Sequence, residues 1–159
     1  MSDFQGHFEA GEMPPFAEAV AWFLDKEILT REDFNKLAAE LKGQAFTAAR
    51  VLAADELQAV YDACLAAIES GQALRDFVLA TEEIMTRPWH RETVFRTNVL
   101  SSYGAGHWEQ AQKNKDIRPY AIYRDTGDGR VRVNHRIGGT VLPLDHPFVR
   151  SHWCPWEYN

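Results

Sequence analysis

Apolar residues recur at helical spacing through the first two thirds of the chain. Phe16, Ala19, Val20, Phe23 and Leu24 follow Pro14-Pro15 and predict a helix that a proline opens at no hydrogen-bonding cost. Thr30 predicts an N-cap, with Glu32 and Asp33 in the first turn and a buried stripe through Phe34, Leu37, Ala38, Leu41, Ala45 and Phe46. Asp55 predicts a second cap, ahead of Leu57, Val60, Tyr61, Cys64, Leu65 and Ile68, and Gly71 supplies a left-handed stop. A fourth segment spans about Ala73 to Met85, with Leu74, Phe77, Val78 and Ile84 inward, and Pro88 breaks it. The last helix runs from about Arg91 to Lys113 across Gly104 and Gly106, small residues that predict close approach of another backbone.

After Pro119 the period changes. Tyr120, Ile122 and Tyr123, then Val131 and Val133, flank the tight-turn signal Thr126-Gly127-Asp128-Gly129, and Thr140 to Leu142 predict a third short strand. The expected fold class is α+β, mostly α: a helical body of about five helices carrying a small C-terminal β-hairpin subdomain. The expected divisions are an arm at residues 1–13, a helical domain at 14–116 and a β-containing subdomain at 117–159.

With 159 residues, 45% of them hydrophobic, the chain has material for one domain or two small subdomains sharing a core. Its apolar runs fall far short of the roughly 20 residues of a membrane helix, so no membrane partner is expected. The polar, acidic start carries no signal-peptide pattern, which implies a cytoplasmic product. Two cysteines make no disulfide framework; Cys64, among Ala and Leu, reads as a small buried thiol. The net charge of −6 is unevenly spread. Residues 1–85 hold 6 Lys/Arg against 16 Asp/Glu, whereas residues 86–159 hold 11 against 7. An acidic first half and a basic second half imply two surfaces with different partners, an acidic protein patch or DNA for the basic one. A surplus of four falls short of the clustered phosphate contacts of specific DNA binding.

The stretch from Asp128 to Asn159 packs arginines, three of the six histidines, Cys154 and two tryptophans beside Gly138-Gly139. Three readings compete for it. A zinc site would use His146, His152 and Cys154 with His135 and Asp128, but His146 lies six residues before His152, a loose spacing for a ligand pair. A metal-dependent nuclease would take His135 as general base and Asp128 or Asp145 as metal ligand. The third reading is structural and is preferred: Asp128, Arg130 and Arg132 pin the turn by charge-assisted hydrogen bonds, and His135 holds the following loop beside Gly139. No catalytic residue and no cofactor is then expected, zinc remaining the alternative. Trp89, Trp108, Trp153 and Trp156 are candidate interface side chains, since Trp and Arg dominate binding hot spots.

The order of motifs resembles the phage Mu F-like minor head proteins, also called phage head morphogenesis proteins. The resemblance rests on Pro15-Phe16-Ala17-Glu18-Ala19, Lys26, Ala45-Phe46-Thr47-Ala48-Ala49, then Gly71, Leu74 and Phe77. It continues through Phe95-Arg96-Thr97-Asn98, Tyr103 and Gly106. In the tail it rests on Tyr120, Asp128-Gly129-Arg130-Val131-Arg132, His135, Gly139-Thr140-Val141-Leu142-Pro143, Asp145, Pro147-Phe148 and Trp156 to Asn159. Asn159 falls just before the position of the family's C-x-C, and Cys154 stands where relatives carry other residues. The resemblance implies a virion component rather than an enzyme: a protein bound near the portal, present in the host cytoplasm during assembly, with portal and head proteins as partners. It also implies a link to DNA packaging or delivery. The alternative is a metal-dependent nuclease or toxin-related domain using the C-terminal Asp/His/Cys cluster.

Overall fold

The computed structural model describes residues 16–38, 42, 44–48, 51, 53–124 and 136–153. Packing groups the chain into two units, Met1–Gly106 and His107–Asn159. The fold is α+β and mostly α. The arm expected at residues 1–13 and the strand expected at Val131 and Val133 lie outside the described residues.

In the first unit, α1 (Ala17–Leu24) buries Ala19 and Phe23, while Leu24 faces solvent, against expectation. Thr30 caps α2 (Arg31–Lys36) as expected: its hydroxyl accepts from the Asp33 N–H at 3.2 Å. The helix then stops early, because Leu37 is extended (ψ 143°), and it buries no residue. The long helix expected through Phe46 is thereby corrected. Ala45–Phe46 is instead a strand, β2, paired in parallel with β1 (Glu27–Ile28). Strand pairing satisfies these polar backbone groups and still buries Phe46 completely.

Helix α3 (Ala54–Ser70) is the spine of this unit, packing against α1, α4 (Leu74–Thr81) and the turn after α5. Its N-cap is Ala53, without a side-chain hydrogen bond, so Asp55 is a first-turn acid rather than the expected cap. Leu57, Val60, Tyr61, Cys64 and Ile68 are buried as the spacing predicts. Gly71 ends the helix at φ +65°, a left-handed conformation that glycine adopts without a Cβ penalty. Tyr61 stacks on Phe23 at 4.6 Å and meets Phe46 edge-on at 5.2 Å, uniting α1, β2 and α3 in one aromatic knot.

Helix α4 ends at Thr81, several residues short of the expected Met85. Pro88 then begins α5 (Pro88–Phe95), a place where its missing N–H is harmless. A π-helical turn at Arg96–Leu100 joins α5 to α6 (Ser101–Lys113). Close packing at the paired glycines is borne out at Gly106. A Cβ there would lie 2.8 Å from the Ala19 backbone nitrogen and 2.9 Å from the Phe16 ring. Phe16 in turn stacks on Tyr103 at 5.9 Å, and the Tyr103 hydroxyl donates to the Ile68 carbonyl at 3.4 Å.

In the second unit, β3 (Tyr120–Ile122) pairs antiparallel with β4 (Val141–Pro143), matching Tyr120 with Pro143 and Ile122 with Val141. The pairing extends beyond the strands through Tyr123 N–H to the Thr140 carbonyl at 2.9 Å and Leu144 N–H to the Pro119 carbonyl at 2.8 Å. A short helix that the sequence pattern did not suggest, α7 (Pro147–Ser151), follows, with Leu144 and Val149 buried.

Candidate functional site

The β3–β4 ribbon has two unlike faces. Ala121, Tyr123, Leu142 and Leu144 are half-buried or buried, and the alternate positions point the other way. Tyr120 is 64% exposed, Ile122 and Val141 are each 54% exposed, and Pro143 is exposed beside them. The register places these four side chains as two cross-strand pairs on one face. Ile117, 81% exposed, lies three residues before the ribbon, and Arg118 and Arg124 are exposed at its margins. Apolar side chains gathered this way, rather than scattered, mark surfaces that meet another macromolecule.

The ribbon is held from behind by a compact aromatic set. Tyr123 meets Phe148 edge-on at 5.7 Å, and His152 stacks on Phe148 at 3.9 Å with an interplanar angle of 8°. The Tyr123 hydroxyl donates to the His152 carbonyl at 3.3 Å. Lys115 and Asp145 form an ion pair at 2.5 Å across this unit. Thr140 N–H donates to the Ile137 carbonyl at 3.0 Å, and Gly139 sits at φ +85° in that turn, where a type II turn requires positive φ. Gly139 thus turns the chain into β4.

Of the other residues singled out in the tail, Asp128, Arg130, Arg132, His135, Cys154 and Trp156 lie outside the described residues. His146 caps α7, its Nδ1 accepting from the Phe148 N–H at 3.2 Å. His152 Nδ1 lies 2.8 Å from the Ser151 hydroxyl and 3.1 Å from the Phe148 carbonyl. Both imidazoles therefore already have local structural contacts. Among the described residues, no three His, Cys, Asp or Glu side chains converge in a way that would hold a metal ion. Trp108 and Trp153 are half-buried and pack edge-to-face at 5.0 Å, whereas Trp89 is 56% exposed.

Two features of the first unit escaped the sequence pattern. The Lys26 ammonium lies 4.3 Å from the centre of the Trp22 ring, at a recess of about 380 Å3 lined by Trp22, Asp25, Lys26 and Gln44. Burial pushes its pKa down to about 8, with Cys64 drawing it partly back up. Burial likewise pushes the Cys64 thiol up to about 12, so this cysteine is an inert core residue. The second feature is the π turn, which falls on Arg96-Thr97-Asn98. The Asn98 amide is buried and donates to the Val94 carbonyl at 3.0 Å, while the Ser102 hydroxyl donates to the Asn98 carbonyl at 2.7 Å. π turns inside α-helices are frequent at functional sites. Neither periodicity nor composition signals one.

Comparison with known proteins follows the same outline. The family model described as Phage Mu protein F like protein matches residues 58–159, more than half of the chain. The chain is 26% identical to the Putative capsid assembly protein F of Escherichia phage Mu, an alignment covering 94% of this chain and 39% of that protein. It is 25% identical to the Mu-like prophage FluMu F protein of Haemophilus influenzae, over 73% of this chain and 33% of that one. The chain thus spans about a third to two fifths of the length of these relatives. No solved structure matches. No helix of the described residues is long and apolar enough to cross a membrane. The matched region runs from within α3 through α6 to the ribbon with its supporting aromatic set, and the chain belongs to the Phage Mu protein F like family.

Proposed function

We propose that this chain is a docking component of the head of a tailed phage or prophage, acting in head morphogenesis. The observation that carries this reading is the alignment, across 94% of the chain, with a phage Mu protein named for capsid assembly. The exposed ribbon face supports it, because assembly requires a surface that a monomer leaves uncovered. The finer reading places the protein near the portal, with portal and head proteins as partners and a part in DNA packaging or delivery. The basic second half suits that reading, since it favours acidic protein surfaces and leaves DNA as a secondary contact. On this reading Asp128, Arg130, Arg132 and His135 stabilise the tail corner and are not catalytic, and the protein is found in the virion and, during assembly, in the host cytoplasm.

Co-expression with the portal protein of the same phage or prophage tests this. A docking component co-purifies with portal through size exclusion and releases no nucleotides from DNA. Cleavage of nucleic acid on addition of divalent metal, lost in His135→Ala while the fold persists, would instead establish the nuclease alternative.

A further inference from the structure

The ribbon face has a chemical complement on this same chain. On α4, Phe77 and Thr81 are buried, and the opposite side carries Leu79, 57% exposed. Asp76 lies one turn before Leu79, and Glu82, the C-cap of α4, and Glu83 in the turn beyond it follow the helix, all exposed, with Arg75 as the cation alongside. An apolar centre within a mostly acidic margin thus sits on the first unit, and an apolar strip with Arg118 and Arg124 at its margins sits on the second. Charge follows the same division over the whole chain: residues 1–106 hold 9 Lys/Arg against 17 Asp/Glu, and residues 107–159 hold 8 against 6.

We propose that the apolar face of the β3–β4 ribbon docks on the acidic, Leu79-centred face of α4 in a second copy of this chain. Ile122 and Val141 supply the apolar contact, and Arg118 and Arg124 meet Asp76, Glu82 and Glu83. The two patches differ, so the contact is head-to-tail: an open assembly of any length retains one free ribbon at one end and one free α4 face at the other, and association continues into rings or short filaments. This inference goes beyond head docking and does not depend on it.

Sedimentation velocity on the chain tests the contact, with Ile122→Glu disabling the ribbon face and Leu79→Glu the α4 face. Both positions are exposed, so circular dichroism should report a native helical signal for each variant. The wild type is expected to gain mass with concentration. Raising ionic strength from about 0.1 M to about 1 M, which cuts the screening length from roughly 10 Å to 3 Å, is expected to weaken that association. Each variant alone is expected to associate at least roughly tenfold more weakly, as loss of a central apolar anchor does. An equimolar mixture of the two variants is expected to form a dimer that grows no further, since it restores one intact ribbon and one intact α4 face. A wild type that stays monomeric at all concentrations overturns the proposal. So does a mixture no larger than its components, the result of a ribbon-to-ribbon contact. If a variant loses its helical signal, Val141→Lys and Ala80→Glu disable the same faces and carry the same expectations.

Discussion

Lys26 shows how one half-buried amine couples stability to pH. Its folded-state pKa of about 8 lies below the ordinary 10.5, so above pH 8 the native state releases a proton that the unfolded chain still holds. Stability therefore rises with pH from about 8. Cys64 acts in the opposite sense: the native thiol keeps its proton to about 12, while the unfolded thiol loses it near 9. The net rise is thus confined to about pH 8 to 9 and amounts to about 1 kcal/mol. Lys26→Met should abolish it, as read by urea denaturation in steps across that window; parallel profiles for the two proteins would contradict this. At Gly106 the constraint is steric. Alanine would add about 1 kcal/mol of helix propensity, but its Cβ would press on the Ala19 backbone nitrogen, which cannot swing aside as a side chain can. Overpacking of this kind costs about 1–3 kcal/mol, so Gly106→Ala should lower the melting temperature; a rise would mean that α1 moves freely away from α6. The close approach at Gly106 was legible in the sequence because only a glycine fits it. The lowered Lys26 pKa was not, since it depends on how far the fold takes the ammonium out of water, which spacing along the chain does not record.

Among the elements, α3 was readable because six apolar positions at helical spacing and a terminal Gly71 all point to one answer. The region from Thr30 to Phe46 was not. Phe34, Leu37, Ala38, Leu41, Ala45 and Phe46 fit a helical stripe, yet the chain turns extended at Leu37 and returns Phe46 to the core as a strand. Spacing records which residues want burial, and a short parallel pair buries Phe46 as well as a helix would. The ribbon posed the converse problem. Tyr120 to Tyr123 is apolar on both sides of the alternation, so the outward face became apparent only from its register with Val141 and Pro143. In the π turn, the Asn98 amide serves the Val94 carbonyl from a buried position. Asn98→Ala should therefore cost about 1–2 kcal/mol, the desolvation of an acceptor left without its donor. Equilibrium unfolding in urea measures this, and an unchanged midpoint would show that the π turn satisfies the Val94 carbonyl without the side chain.

For the molecule as a whole, the family's motif residues divide between two tasks. Phe16, Phe46, Phe77, Phe95, Tyr103 and Gly106 form the packed frame of the first unit. Tyr120, Val141 and Pro143 lie on the exposed face of the second. A frame and an exposed face together suit the docking role proposed above. That division was half legible in the sequence: the resemblance supplied the head-assembly reading, and the charge asymmetry implied two surfaces. The location of the apolar face required the strand register. Among the candidate interface tryptophans, Trp108 and Trp153 face each other, leaving Trp89 as the exposed member among the described residues. Quantitative mass spectrometry of gradient-purified heads from the phage or prophage that encodes this chain decides whether it is a head component. A docking component is expected in heads at a fixed ratio to portal. Heads that assemble and fill with DNA while containing none of the wild-type protein would contradict it.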